Sequence, residues 1–467
     1  MAFFRTVLVG SLALLLNACS SDDAAKPTPQ GTMNPGGTPD RDPLSLDVAL
    51  PIVFVHGFAG SAEQYDSQAI RFAANGYPRE RIQALDHDGA GTDYATYITL
   101  VDELVDKVRA QFSVEKVYLV GHSRGTIVST QYLGDATRAG KIAKYISLDG
   151  AGCGAADTAG IPCLAPSQDI LEGQAHVEVA TSKESFAMQY EFLVGSQPAV
   201  LDIDRQDKQV EISGRLVNFP ANTGRAGSTL TIYEIDSTTG ARVGAALKTF
   251  SIDDSGNWGP VPISPDKNYE MAATTETGIQ HFYPQRFRRS THLVRLLSGP
   301  SDSPIRLATN RGPNHAAVIA MRMREWYGDP NPMPMGGGAL GARPRDPQKM
   351  DALEISTSAP GVTQPAVNII QPRMTNGDIA IHIHDDTTTP GESTLGELSK
   401  FLEPSCLLCT AFQTTADVFM PAADPPTGTI TFKNVPRGDS SMPQVINVPN
   451  WASSGHLISL MFSDYPQ

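Results

Sequence analysis

The sequence predicts an α/β domain built on a parallel sheet, followed by a C-terminal all-β region. Three observations carry this expectation. Short apolar runs, Ile52–Val55 and Val117–Val120, end in glycine turns, His56-Gly57 and Gly121-His122-Ser123-Arg124-Gly125. From Val48 to about Gly195 such runs alternate with stretches of helical spacing, the order of elements that makes a parallel sheet under helices. Beyond Gln197 the spacing changes to period two, as in Val210-Glu211-Ile212-Ser213-Gly214-Arg215-Leu216-Val217, with Gly, Asn, Asp and Pro between the runs. That alternation reads as antiparallel strands.

The segments follow in order. Residues 1–19 read as a lipoprotein-type signal peptide. Arg5 precedes an apolar core, Val7 to Leu16, too short to span a bilayer. Leu16-Asn17-Ala18-Cys19 resembles a bacterial lipobox, which would make Cys19 the acylated residue. Ser20 follows in place of an inner-membrane retention signal, so the resemblance implies an outer-membrane or surface lipoprotein of a Gram-negative cell. Plain secretion after cleavage nearby is the alternative. Residues 20–47, rich in Ser, Asp, Pro, Gly and Thr, read as a disordered tether. Residues 48–200 form the α/β domain. Its strands are expected at Val53–Val55, Ile82–Leu85, Val117–Val120 and Ile142–Leu148. A helix from Ser61 to Asn75 opens on a Ser61/Gln64 capping box. A second carries Tyr97, Val101, Leu104, Val105, Val108 and Phe112 on one face, a third runs from the elbow to about Arg138, and a last covers Phe186–Val194. Residues 205–297 are expected as a sandwich-like β domain. Residues 298–467 are expected as a second β domain that binds lipid or substrate, with a loop from Met333 to Pro347.

The chain has 467 residues, more than one core can hold. Charged residues are only 18%, while 41 Gly and 35 Pro mark a turn-rich chain. A formal net charge of −14 excludes nucleic acid as a natural partner and disfavours electrostatic attachment to anionic lipid. Apart from Cys19 there are four cysteines, Cys153, Cys163, Cys406 and Cys409. Sequence neighbours are the expected disulfide partners, Cys153 with Cys163 and Cys406 with Cys409.

The G-x-S-x-G turn after a buried strand is the arrangement that exposes a nucleophilic hydroxyl at a strand-to-helix elbow. Ser123 is therefore the candidate nucleophile. A base must follow it and precede the β region. His122 is directed away by its place in the turn, so His176 is left. The orienting acid is expected at Asp149, on the strand tip beside the Ser123 strand, with Asp169 and Asp157 as rivals. Oxyanion donors are expected from the backbone N–H groups of Phe58 and Arg124. This chemistry calls for no cofactor or metal.

Val53-Phe54-Val55-His56-Gly57-Phe58-Ala59-Gly60-Ser61, Arg71-Phe72-Ala73-Ala74-Asn75-Gly76-Tyr77, the Gly121–Gly125 elbow and His176-Val177-Glu178-Val179-Ala180-Thr181-Ser182 resemble a prokaryotic lipase family. That family is typified by the archaeal Archaeoglobus lipase. The resemblance continues into Val217-Asn218-Phe219-Pro220 and the stretch His281 to Ser290. It implies a small α/β-hydrolase domain with a C-terminal lipid-binding β domain, a triad of Ser123, Asp149 and His176, and oxyanion donors at Phe58 and Arg124. Arg124 stands where many members carry an apolar residue, and the Asp149–His176 interval is short, leaving little chain for a lid.

Two further features invite other readings. His382-Ile383-His384-Asp385 has metal-like composition, but i, i+2 spacing on a strand is expected to face both rings to solvent. Arg286, Arg288 and Arg289 could bind anions, although closing a β domain with Phe282, Tyr283 and Phe287 inward fits better. The expected function is an exported serine ester hydrolase, a lipase or carboxylesterase, acting on lipid-like esters through an acyl-enzyme. A polyester depolymerase would share the site, and a non-catalytic surface lipid-binding protein would share the scaffold. The partners expected are an ester substrate and a membrane reached through lipidated Cys19. The aromatics around Phe282–Phe287 are the expected apolar rest for long acyl chains, so a chain ended near Val200 is expected to keep short-ester activity alone.

Overall fold

Five strands, β1 (Ile52–Val55), β2 (Ile82–Leu85), β3 (Val117–His122), β4 (Ile142–Leu148) and β5 (Cys163–Leu164), pair in parallel in the order β2-β1-β3-β4-β5. The source is a computed structural model. It describes residues 41–207, 209–299, 311–326, 351–359, 367–369, 379–385, 393–397, 413–436 and 443–465. The signal segment with Cys19, most of the tether, the Met333–Pro347 stretch and Cys406 and Cys409 lie outside the described residues.

β1 and β3 are buried along their whole length because helices cover both faces of this sheet. The helices are α1 (Asp66–Ala74), α2 (Tyr94–Phe112), α3 (Arg124–Leu133), α4 (Ala136–Ala139), α5 (Gly154–Thr158), α6 (Glu178–Thr181) and α7 (Lys183–Val194). Alternate residues of β1 serve opposite cores. Val53 and Val55 pack with Tyr97, Val101, Val105 and Val108 of α2, while Ile52 and Phe54 pack with Phe72, Phe186 and Tyr190. Asp93 caps α2, its side chain accepting from Thr96 N at 3.2 Å.

Two local expectations need correction. The Ser61/Gln64 capping box is not formed: residues Ala62–Tyr65 make a 3-10 turn, and Ser61 offers no side-chain cap. Gln64 turns inward instead, toward His122. The helix after the elbow also stops at Leu133, and Asp135 starts a separate turn by accepting from Arg138 N.

The β region comprises β6 (Val210–Asn218), β7 (Thr223–Gly224), β8 (Thr229–Ile235), β9 (Lys248–Ser251), β10 (Asn257–Ile263), β11 (Asn268–Thr275), β12 (Gly278–Pro284) and β13 (Thr291–Ser298). It continues with β14 (Val318–Arg322), β15 (Ala352–Thr357), β16 (Val367–Asn368), β17 (Ala380–His384) and β18 (Ser393–Glu397). It ends with β19 (Gln413–Val418), β20 (Thr429–Val435), β21 (Gln444–Pro449) and β22 (His456–Phe462). Most pairs are antiparallel, but β6/β13, β12/β22, β14/β22 and β17/β19 are parallel. Period-two spacing reports which face a side chain takes, not the direction of the neighbouring strand. β22, from the end of the chain, lies between β12 and β14. One nine-stranded sheet, β18-β19-β17-β14-β22-β12-β11-β8-β9, is thereby shared by both β segments.

Two side-chain expectations are revised by this sheet. His382 and His384 are not solvent-facing. They are 3% and 1% exposed, on a strand, β17, that is flanked on both edges by β19 and β14. Burial pushes the His382 imidazole down to about 4, and its Nε2 donates to Gln413 Oε1 at 2.8 Å. Phe282, Tyr283 and Phe287 do point inward, and are buried in the β cores. They therefore cannot be the apolar rest for acyl chains that the sequence led us to expect.

The β region is also built into the α/β domain. Asp86 Oδ2 accepts from Arg215 Nη1 at 2.6 Å and from Arg295 Nε at 2.8 Å, with its side chain only 3% exposed. Asn222 Nδ2 reaches the carbonyls of Gly60 and His87, each at 2.9 Å. Leu293 of β13 joins the core of the α/β domain. Stranding a buried charge by deleting its partners costs about 3–5 kcal/mol. A chain ended near Val200 is thus expected to be poorly soluble or unfolded and to lose short-ester activity as well. Circular dichroism and short-ester assays of that truncate check this, and a folded, active truncate would contradict it.

Candidate active site

Ser123 sits between β3 and α3 at φ 53° and ψ −122°, a left-handed, strained conformation. The chain can turn this sharply because its neighbours lack side chains. A Cβ on Gly125 would lie 2.1 Å from Val55 O, and one on Gly57 would lie 2.9 Å from Ser123 Cβ. The close approach at Gly57 brings the backbone leading to Phe58 against the elbow. Arg124 is the first residue of α3, where a backbone N–H has no partner within the helix.

Asp149 follows β4, next to β3, also at positive φ, 42°. His176 Nδ1 donates to Asp149 Oδ2 at 2.6 Å. Gln168 holds the same carboxylate, its backbone N on Oδ1 at 3.1 Å and its Nε2 on Oδ2 at 2.8 Å. Burial opposes ionisation of Asp149, but the hydrogen bonds from His176 and then Gln168 outweigh it and hold the carboxyl below its ordinary range. His176 is 8% exposed, and its Nε2 is buried with no hydrogen-bond partner among the described residues.

His122, the residue before Ser123, ties His176 to the elbow. His122 Nε2 donates to the His176 carbonyl at 2.9 Å, and the two rings lie 4.7 Å apart. His122 Nδ1 accepts from Gln64 Nε2 at 2.7 Å. These partners fix the His122 tautomer. Burial, then the neighbouring His176, pushes its pKa down to about 3, so it stays neutral.

Arg124 spends its side chain on structure. Nη1 donates to Gly91 O at 2.6 Å and Nη2 donates to Asp88 O at 2.5 Å. The guanidinium lies 5.4 Å from the ring centroids of both Phe58 and Tyr97. Its charge is thus taken up beside the elbow, and its effect is to clamp the Phe58 loop. The Cys153–Cys163 disulfide is formed and closes the segment between Asp149 and β5. Among the described residues no group of three or more His, Cys, Asp or Glu is placed to hold a metal.

The structure therefore brings Asp149 to His176 and links His176 to the Ser123 elbow through His122. Reasoning from sequence missed Gln64, Gln168 and the bracing role of His122. A Gln three residues after a Ser is a capping signal, and that local signal masked the inward contact of Gln64.

Buried imidazoles give the fold a definite acid response. Burial lowers the pKa of His56 well below 6.5, that of His87 to about 4 and that of His122 to about 3. His382 behaves alike. In the unfolded chain these groups protonate near 6.5, so the unfolded state binds more protons below that pH. Stability contributed by the neutral rings is present above about 6.5 and is lost as pH falls toward about 3. Asp66, raised to about 6 by burial, and Glu63, also raised by burial, act in the opposite sense. His281 and His292 are also lowered chiefly by burial, so six imidazoles against two carboxylates decide the sign. The melting temperature is expected to fall from about pH 7 to about pH 4, and a flat or rising one in calorimetry would contradict this balance.

Comparison with known proteins places these segments. The α/β-hydrolase fold family matches residues 51–175, and the Lipase C-terminal domain family matches residues 208–300. A third family model, for a C-terminal domain, matches residues 304–466. Similar solved structures include a monoacylglycerol lipase of Paleococcus ferrophilus, at 19% identity over 25% of this chain and 42% of that one, TM-score 0.19. A carboxyl esterase of Bacillus coagulans matches at 24% identity over 25% and 38%, TM-score 0.19. Lipase BlEst2 of Bacillus licheniformis matches at 22% identity over 39% and 71%, TM-score 0.21. This chain spans about two fifths of the length of the first two. Residues 51–175 are thus similar to the α/β-hydrolase fold family, and residues 208–300 to the lipase C-terminal domain family.

Proposed function

We propose that the protein is a serine hydrolase of carboxylic esters, with Ser123 as nucleophile, His176 as base and Asp149 as its orienter. The observation that carries this reading is the His176–Asp149 bond of 2.6 Å beside a serine held at φ 53°. Asp149 fixes the proton on Nδ1, which leaves Nε2 to accept the Ser123 proton as Oγ attacks the ester carbonyl. The oxyanion is received by the N–H groups of Phe58 and Arg124, each such donor being worth about 3 kcal/mol. Collapse expels the alcohol, which takes the proton from His176. Water then attacks the acyl-enzyme, gives its proton to His176 in turn, and releases the acid while Ser123 is restored.

Lipid-like esters are the substrate class we favour. Ile127, one turn into α3 from Ser123, and Ile170, on the segment leading to His176, are 42% and 57% exposed. Apolar side chains on the two segments that carry the nucleophile and the base suit an acyl chain, at about 0.8 kcal/mol per buried CH₂. Hydrolysis of p-nitrophenyl esters from acetate to palmitate by the full chain tests the reading. Activity rising with chain length and weakened at long chains by Ile170→Asp supports it, whereas no ester hydrolysis at any length contradicts it.

We further propose export as a lipoprotein acylated at Cys19, for which the Cys153–Cys163 disulfide is supporting chemistry, since such bonds persist in oxidising compartments. Palmitate labelling of the wild type but not of Cys19→Ala is the expected result. Equal labelling of both would reject it.

A further inference from the structure

We infer that Glu325, from the C-terminal β region, is a positioning residue for His176, so that the active site is complete only with that region docked. The inference rests on His176 being the catalytic base.

α6 starts two residues after His176, and the first N–H groups of a helix have no partner within it. Val177 N donates to Glu325 Oε1 at 2.5 Å, and Glu178 N donates to Glu325 Oε2 at 3.1 Å. One carboxylate from 148 residues away thus takes two consecutive amides next to the base. Glu325 is 0% exposed. A carboxylate that dry is costly to bury unless its oxygens are hydrogen-bonded, so its position is tightly specified by these amides.

Both sides of the contact are braced. Arg322 Nη2 donates to Glu325 O and to Asp351 Oδ2, each at 2.7 Å. The Arg322 guanidinium lies 4.3 Å from the centroid of Trp326, whose ring is fully buried and meets Phe462 edge-on. Opposite, Glu178 Oε2 accepts from Ala175 N at 3.1 Å, and Glu178 Oε1 pairs with Arg324. His122 holds the His176 carbonyl. Ala175 N, His176 O, Val177 N and Glu178 N, four of the backbone groups around His176, are therefore each engaged. Glu325 accounts for two of the four.

This placement matters because a displacement of about 1 Å in a catalytic group costs about 10²-fold in rate. Without the two Glu325 bonds, the segment after His176 is anchored to the β region by the Arg324–Glu178 pair, which is partly exposed.

Two measurements on the full chain test the inference. In the native wild type, hydrogen exchange at the amides of Val177 and Glu178 is expected to be strongly protected. Exchange as fast as in exposed loops would overturn the inference. Glu325→Gln keeps one acceptor in the same shape, and Glu325→Ala keeps none. With sites counted by titration with a fluorophosphonate, kcat for a short ester is expected to fall in the order wild type, Gln, Ala. The Ala variant should be lower by about ten- to a hundredfold, with KM within about twofold. A capping role that serves stability alone would lower the number of competent sites and leave kcat per site unchanged. A kcat within about twofold of wild type in both variants, or loss of fold in both, overturns the positioning role. His176→Ala separates the two levels of argument. If it retains hydrolysis, the triad itself is wrong, whereas its inactivity beside fully active Glu325 variants rejects Glu325 alone.

Discussion

Ser123→Ala is expected to lower kcat/KM for a short ester by about 10⁴ to 10⁶ while leaving the fold intact, as for nucleophile removal in serine proteases. The substitution deletes one hydroxyl. The backbone bonds that hold the elbow, Ser123 N to Leu148 O at 3.1 Å and Thr126 N to Ser123 O at 2.9 Å, involve no side-chain atom of Ser123. Alanine meets the same positive φ that Ser123 already bears. His176→Ala is expected to match it, because the other imidazoles near the elbow are engaged elsewhere. His122 is bonded at both nitrogens, and His56 is stacked on His87 at 3.9 Å between centroids. Since the two residues act as a unit, the double variant should be no slower than either single one. Steady-state assays with a thermal melt on each variant check this. A folded Ser123→Ala enzyme within tenfold of wild type would remove Ser123 from the mechanism.

Asp149→Asn is expected to cost about 10⁴ in kcat, the magnitude seen when a serine protease loses the carboxylate that fixes the imidazole tautomer. Here the reason is specific. Both Asp149 oxygens already accept from Gln168, and Oδ2 also takes the His176 Nδ1 proton. An asparagine would have to turn its NH₂ toward one of these donors, and whichever it faces is left unpaired. Asp169→Asn is expected to stay within about tenfold of wild type, because the contact to His176 Nδ1 belongs to Asp149. Kinetics on the two variants decide the matter, and a larger loss at Asp169 would reassign the acid.

The parts of this site that were legible in the sequence are those encoded locally. β1 and β3 are unbroken apolar runs, and the glycines after them mark turns that only close backbone approach requires. Asp149 was readable through topology, since it follows β4, the next strand after the elbow, which pairs with β3. What escaped was encoded across distance. Gln64 meets His122 from 58 residues away and Glu325 meets Val177 from 148. No spacing rule reports such pairs, because they exist only once the layers have packed. The same limit explains His382 and His384. Two-residue spacing placed them on one face, but whether that face met water depended on strands elsewhere in the chain. The parallel insertion of β22 between β12 and β14 was invisible for the same reason.

The most direct test of the central claim is labelling of the full-length protein with a fluorophosphonate, followed by peptide mass mapping. The account predicts one adduct per chain, on Ser123, with loss of ester hydrolysis in step with labelling. It also predicts no adduct on Ser123→Ala and strongly slowed labelling of His176→Ala. Absence of labelling, or an adduct on another serine that carries the activity with it, would contradict the account.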